Sequence, residues 1–221
     1  MASDTLSAQT ADGTWAARPL RVGLTGGIGA GKTSVAAIWR AAGVRVIDYD
    51  QHSRAVLDVP GPGVEEAVAR FGEEYRAPSG TIDRQALARL VFADAEARAD
   101  LERIVLGRVE DAVAQREAEA VAAGHRIVVH DNPLLLEKGR DGEYDVVVAV
   151  LAPYEERVRR IVSDRGRDRA YAMSVMSAQV GDLERIRRAD LLVMNNRDAE
   201  ALRLRSQTVL DRIRSLVGGP A

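Results

Sequence analysis

The chain has 221 residues, of which 46% are hydrophobic, 29% charged and only 4% aromatic. This suits a soluble globular protein with an aliphatic core, built as one domain or as one domain carrying a small subdomain. The 31 Lys and Arg nearly balance the 33 Asp and Glu, which argues against a sequence-independent nucleic-acid binder. The lack of cysteine excludes disulfides, thiolate metal sites and a cysteine nucleophile.

Residues 1–19 show no hydrophobic periodicity and read as a flexible leader, although Trp15 could dock. They lack the basic and apolar regions of a signal peptide, and no apolar run reaches the ~18 residues of a membrane span. A cytoplasmic, soluble protein is the expectation, with no membrane or nucleic-acid partner, as a monomer or weak homo-oligomer. Residues 21–25 then read as a buried strand, and 32–42 as a helix. Residues 44–47 form a second predicted strand. Residues 60–123 are mainly helical, too long for one crossover. Within them Asp83 can cap a helix running to about Phe92, and Asp94 a longer one ending near Gly124.

Residues 126–130 and 145–151 read as a third and a fourth strand, the latter a near-continuous β-branched run. A helix over 153–165 follows. Residues 166–189 are polar and, with Arg165, hold six arginines, which suits a mobile lid. Residues 190–194 make a fifth strand and 199–216 a last helix, with fraying expected over 218–221. Continuous apolar strands alternating with helices predict an α/β fold with a parallel sheet. The nucleotide-binding core is assigned to 20–59, 124–165 and 190–217, the helical substrate-binding subdomain to 60–123 and the lid to 166–189.

The strongest motif runs from Gly26 through Gly27, Ile28, Gly29, Ala30 and Gly31 to Lys32 and Thr33. It fits G-x-x-x-x-G-K-[ST] with a strand before it and a helix after it. Glycines let backbone N–H groups turn around phosphate oxygens, and the helix start adds partial positive charge. Lys32, expected to face solvent, supplies an ammonium for the β- and γ-phosphates, and the Thr33 hydroxyl is placed to ligate Mg²⁺. The loop names an ATP-type site without naming the reaction.

Residues at the carboxyl ends of strands carry extra weight in such sheets. Asp48 and Asp50 follow the second strand; in an extended segment they could point the same way, toward a substrate hydroxyl and a metal-bound water. The structural alternative is a helix cap. Asp131 sits where a Walker B carboxylate would sit. Glu137 reads equally as a substrate contact or as half of an ion pair. Arg157 and Arg160, at i and i+3, can share one role, such as a cation over the γ-phosphate. His52, His125 and His130 show no metal spacing, and His52 reads as a surface or packing residue.

Together these residues resemble the dephospho-coenzyme A kinase family over about residues 20–196. The resemblance rests on the run from Gly23 to Thr33, on Asp48, Tyr49 and Asp50 with Arg54, and on Asp83 to Leu87 with Val91 and Phe92. It continues through Asp131, Pro133, Leu134, Leu135 and Glu137 to Ala189, Asp190 and Asn195. It implies a P-loop kinase core with a five-stranded parallel sheet, a helical coenzyme A domain and a lid. It implies transfer of the ATP γ-phosphate, with Mg²⁺, to the ribose 3′-hydroxyl of dephospho-coenzyme A. Asp50 matches the family's base position, Lys32 and Arg160 its phosphate-binding cations, Arg54 a position near the acceptor and Asn195 one near the adenine. Asp48, Asp131 and Glu137 join the substrate-binding set. Departures are Leu106-Gly107 in place of His-Pro, Val175 in place of a lid Arg four residues before Gln179, and Met194 in place of Asp. Two rivals stand beside this reading: a nucleoside or nucleotide kinase of the same fold, and a nucleotide-binding regulatory paralogue without transfer activity.

Overall fold

The computed structural model describes residues 18–218. Residues 1–17 of the expected leader, Trp15 among them, and residues 219–221 lie outside the described part. In chain order the elements are β1 (Leu20–Gly26), α1 (Lys32–Ala41), β2 (Arg45–Asp48), α2 (Tyr49–Asp58), α3 (Pro62–Phe71), α4 (Arg84–Ala93) and α5 (Ala95–Ala122). There follow β3 (Ile127–Asp131), β4 (Val146–Leu151), α6 (Tyr154–Arg165), α7 (Arg169–Ser177), α8 (Asp182–Arg188), β5 (Leu191–Met194) and α9 (Ala199–Leu216). Two short 3₁₀ turns complete them.

Two compact units result. One holds the described residues up to Ile47 and from Ala120 onward, the other Asp48–Glu119. The larger unit is built on a five-stranded sheet of order β2-β3-β1-β4-β5. The β1–β3, β1–β4 and β4–β5 pairs are parallel, with Leu24 opposite Asp131 and Val148. β3 and β4 are buried along their whole length, as expected of strands covered on both faces. One face carries α1 and α9, where Val35, Ala36, Trp39, Leu202, Leu210 and Ile213 pack with Leu24, Val148 and Val150. Trp39 is wholly buried, and its indole N–H donates to the Ser206 carbonyl at 2.9 Å, so that donor is satisfied inside the core. A second cluster joins Leu135, Leu136 and Val147 with Tyr144, Val180 and Ala189.

Segment 166–189 folds as two helices. α7 buries Ala172 and Met176 against Val158 and Ile161, and α8 buries Arg185 completely. Asp168 caps α7 through Tyr171 N–H at 2.7 Å, and Asp198 caps α9 through Ala201 N–H at 2.8 Å.

The smaller unit is helical. Asp83 accepts from the N–H groups of Gln85 and Ala86 and starts α4; Asp94 accepts from those of Glu96 and Ala97 and starts α5. Leu57, Val64, Ala67, Ile82 and Leu87 form its core. Among the described residues no helix is long and apolar enough to cross a membrane.

Candidate active site

β1 ends at Gly26, and the chain turns through a Gly27 carbonyl to Ala30 N–H bond of 3.0 Å before entering α1. Gly31 precedes the helix at φ 99°, a left-handed conformation that glycine adopts without a Cβ penalty. No side chain caps this helix start, and its first turn holds no acidic residue. Its first N–H groups and the positive end of its dipole are therefore available to an anion.

Three successive loop carbonyls are held from outside by side chains. Arg157 Nε donates to the Ile28 carbonyl at 2.9 Å, Arg160 Nη1 to that of Gly29 at 3.1 Å, and Asn195 Nδ2 to that of Ala30 at 2.8 Å. In a trans peptide the C=O and the next N–H point oppositely. Holding the Ile28 and Ala30 carbonyls therefore turns the N–H groups of Gly29 and Gly31 the other way, away from Arg157 and Asn195. The glycines serve this grip too. A Cβ at Gly27 would run into the Arg157 guanidinium, one at Gly31 into the Asn195 carboxamide, and one at Gly29 would lie 2.9 Å from the Arg157 carbonyl. Arg157 also donates to Asp182 at 3.1 Å, and Arg160 Nε to Glu156 at 3.1 Å. Burial holds Arg157 below the usual guanidinium pKa, against the opposing pull of Asp182.

Lys32 does not face solvent as expected. Its side chain is 14% exposed, and its ammonium is paired with Asp131, the last residue of β3 and itself buried. The parallel register that sets β3 beside β1 brings the two together. The Thr33 hydroxyl lies in the exposed first turn of α1. Next to Asp131, the His130 imidazole is buried edge-on to Tyr144, with ring centroids 5.5 Å apart. Burial, helped by the charges of Arg21 and Arg140, pushes its pKa down to about 3.

Glu137 is engaged in an ion pair. Its Oε1 accepts from Arg185 and, at 3.3 Å, from Val180 N–H. Asp190 accepts from Val147 N–H at 2.7 Å and ties the start of β5 to β4. Arg185 escaped the sequence reading, which names Gln179 only as the lid glutamine beside the Val175 departure and gives it no site role. Gln179 Oε1 accepts from Ile28 N–H at 2.8 Å, and Arg185 Nη1 lies 3.4 Å from Thr25 Oγ1. A glutamine beside a buried arginine in a polar segment gives no periodic signal.

Asp48, Asp50 and Arg54 belong to the helical unit. Asp48 Oδ1 accepts from Gln51 N–H at 3.0 Å and caps α2. The extended segment expected for the two carboxylates is therefore corrected. Because Asp48 caps, the helix begins at Tyr49, and Asp50 lies exposed in its first turn rather than one pleat beyond a strand. Arg54 is exposed in the middle of α2, and its carbonyl accepts from Arg84 at 3.2 Å.

The family model described as dephospho-CoA kinase matches residues 20–201. A dephospho-CoA kinase of Corynebacterium efficiens is 40% identical over 194 residues, covering 88% of this chain and 97% of the relative. The crystal structure of TT1252 from Thermus thermophilus superposes with a TM-score of 0.74 at 33% identity, covering 91% of this chain and all of that one. A dephospho-CoA kinase structure from Campylobacter jejuni shares the fold, with a TM-score of 0.66 at 21% identity over 88% of this chain and 97% of its own.

Proposed function

The chain belongs to the dephospho-CoA kinase family and is an ATP-dependent kinase of dephospho-coenzyme A; from that premise we propose which of its residues carry the transfer and to which hydroxyl it runs. The acceptor is the ribose 3′-hydroxyl. Its oxygen forms a bond to the γ-phosphorus while the bond from that phosphorus to the β,γ-bridging oxygen breaks. The hydroxyl proton passes to Asp50, and ADP leaves. A loose transition state asks little of a base, so Asp50 acts as much by orienting the hydroxyl as by taking its proton.

One observation carries this reading: the loop from Gly26 to Thr33 is built with carbonyls held by side chains, beside an ammonium that an anion can recruit. The N–H groups of Gly29 and Gly31 and the start of α1 receive the β-phosphate, and Lys32 moves between Asp131 and the phosphates. Arg160 and Asn195 act on ATP through the loop they hold. Asp48 and Arg54 contribute to acceptor binding. Glu137 acts indirectly, by fixing Arg185 and the chain at Val180.

Mg²⁺ fits the donor set. The described residues hold no group of three His, Cys, Asp or Glu side chains able to bind a metal alone. Mg²⁺ keeps several waters and binds through few protein ligands together with substrate phosphates. Thr33 would hold it, and when bound it neutralises charge developing between the β- and γ-phosphates.

The test is ADP release under steady-state turnover with dephospho-coenzyme A, with a panel of nucleosides and nucleotides as competing acceptors. The product's phosphate position is read by phosphorus–proton NMR. Release that requires dephospho-coenzyme A and yields the 3′-phosphate supports the assignment. A phosphate at another position, or faster turnover of a nucleoside, overturns it.

A further inference from the structure

Ile28 is held on both sides of its backbone by side chains. Its N–H donates to Gln179 Oε1 at 2.8 Å, and its carbonyl accepts from Arg157 Nε at 2.9 Å. Its side chain packs on the cluster of Val158, Ile161, Ala172 and Met176. Both polar grips lead to one short segment. Gln179 lies three residues before Asp182, the first residue of α8, and Arg157 Nη1 donates to that Asp182 at 3.1 Å.

The segment is itself anchored. Arg185 of α8 is 0% exposed and paired with Glu137, whose Oε1 also accepts from Val180 N–H. Arg188 is paired with Asp141 and donates to the Leu136 carbonyl at 2.9 Å. Gln179 therefore presents its carboxamide from a fixed base to the part of the loop that turns from β1 toward α1.

We propose that Gln179 is a positioning residue for nucleotide phosphate binding, acting through the Ile28 peptide. The proposal rests on the reading of this loop as the ATP site. Ile28 and the two residues that follow must keep their peptide planes oriented for the N–H groups of Gly29 and Gly31 to converge on an anion. The glycines flanking Ile28 offer little resistance to rotation of those planes. With the Ile28 N–H bound to Gln179 and its carbonyl to Arg157, neither adjoining plane can rotate without breaking a hydrogen bond. Removing the Gln179 acceptor frees one of them. The empty loop then samples orientations that do not bind phosphate, and the apparent affinity falls by the competent fraction.

The test compares Gln179→Met, which keeps the length and removes the carbonyl acceptor, with Gln179→Glu, which keeps an acceptor. Two readouts apply: Ile28 N–H hydrogen exchange by NMR, and ATP affinity by calorimetry without an acceptor substrate. A net hydrogen bond of ordinary strength predicts a rise in ATP Kd of roughly 3- to 10-fold for Gln179→Met. Ile28 N–H exchange should quicken by a similar or larger factor, with the melting temperature of the unligated protein little changed. Gln179→Glu should restore the exchange protection. KM for dephospho-coenzyme A should stay near wild type. Unchanged exchange overturns the contact, and faster exchange with an unchanged ATP Kd overturns the positioning role. A lowered melting temperature with an unchanged Kd assigns Gln179 a purely structural part and overturns the proposal as well. Should Gln179→Met fold poorly, Gln179→Asn, one methylene shorter, carries the same comparison. A wild-type protein that binds no ATP would instead overturn the reading of the loop as a nucleotide site.

Discussion

Gly27→Ala separates two reasons for a glycine in the phosphate loop. Gly27 lies outside the left-handed region, so alanine is tolerated by its backbone. What a Cβ meets there is Arg157, with the guanidinium carbon at 2.8 Å and one terminal nitrogen closer still. Expelling that side chain breaks its bond to the Ile28 carbonyl, worth about 1.5–3 kcal/mol for a charged donor. It also breaks the Asp182 pair, whose half-exposed carboxylate limits that loss to about 0–1 kcal/mol. The substitution should therefore cost about 2–4 kcal/mol in the otherwise unchanged protein. In an Arg157→Ala background the same methyl group finds space and should cost close to nothing. Urea unfolding of the two single variants and the double variant gives the coupling, expected at about 2 kcal/mol or more. Costs that add to within about 0.5 kcal/mol would refute the reasoning and return Gly27 to the usual explanation, approach of the phosphate alone.

Lys32→Met should slow transfer by on the order of 10²–10³ in steady-state ADP release, since the cation is lost where phosphate charge is redistributed; a variant keeping a tenth of the wild-type rate would refute its role. Asp50→Asn should lower single-turnover rates by roughly 10²–10⁴ with ATP Kd unchanged; a normal chemical step there but not in Asp48→Asn would move the base assignment to Asp48, and a normal step in both would move it to Asp131. Asp48→Ala removes the α2 cap and should cost ~1 kcal/mol in urea unfolding, so an unchanged midpoint would argue against the cap. His130, neutral and buried, has a folded pKa near 3 against 6.5 when exposed, so the unfolded chain takes up a proton first as pH falls. Its contribution is complete above about pH 6.5 and declines by up to ~1.4 kcal/mol per pH unit down to about 3. Between pH 7 and 5, wild type should lose ~2 kcal/mol more than His130→Gln, and equal losses would contradict the buried neutral imidazole.

The sheet was legible because its strands are continuous apolar runs. The span 199–216 matched α9, and both Asp83 and Asp94 cap the helices that their position before an apolar pattern predicted. The loop was legible because its glycines, Lys32 and Thr33 are contiguous. The pairings of that loop were not, although the sequence singles out Arg157 and Asn195 for the nucleotide site. Arg157, Gln179 and Asn195 lie 129, 151 and 165 residues from the groups they bind, and nothing in local spacing records such pairings. The environment of Lys32 escaped for the same reason, since it depends on β3 lying beside β1. Asp48 and Asp50 were singled out by type, but their geometry was set by a choice that sequence leaves open. The same carboxylate can extend a strand or cap a helix, and here one hydrogen bond to Gln51 settles it.

The ion pairs around the loop divide its cations by task. Lys32 has Asp131, Arg157 has Asp182 and Arg160 shares Glu156 with Arg159, so each cation gathered around residues 27–32 has a carboxylate partner. Arg157 and Arg160 also hold backbone carbonyls, so a movement that carried either guanidinium wholly onto a phosphate would break a bond that shapes the loop. Lys32 has no such duty among its described bonds, and its long aliphatic stem lets the ammonium move. On the proposed reading it is the cation that follows the phosphates, and its departure takes a positive charge away from the buried Asp131. A carboxylate in that position favours an arriving cation or a Lys32 shared between both anions. Nucleotide arriving with its metal satisfies both needs, whereas a bare polyanion satisfies only the first. ATP affinity should therefore rise with Mg²⁺ more in wild type than in Asp131→Asn, a difference that calorimetry with and without the metal measures; equal enhancement in the two would detach Asp131 from metal-dependent binding.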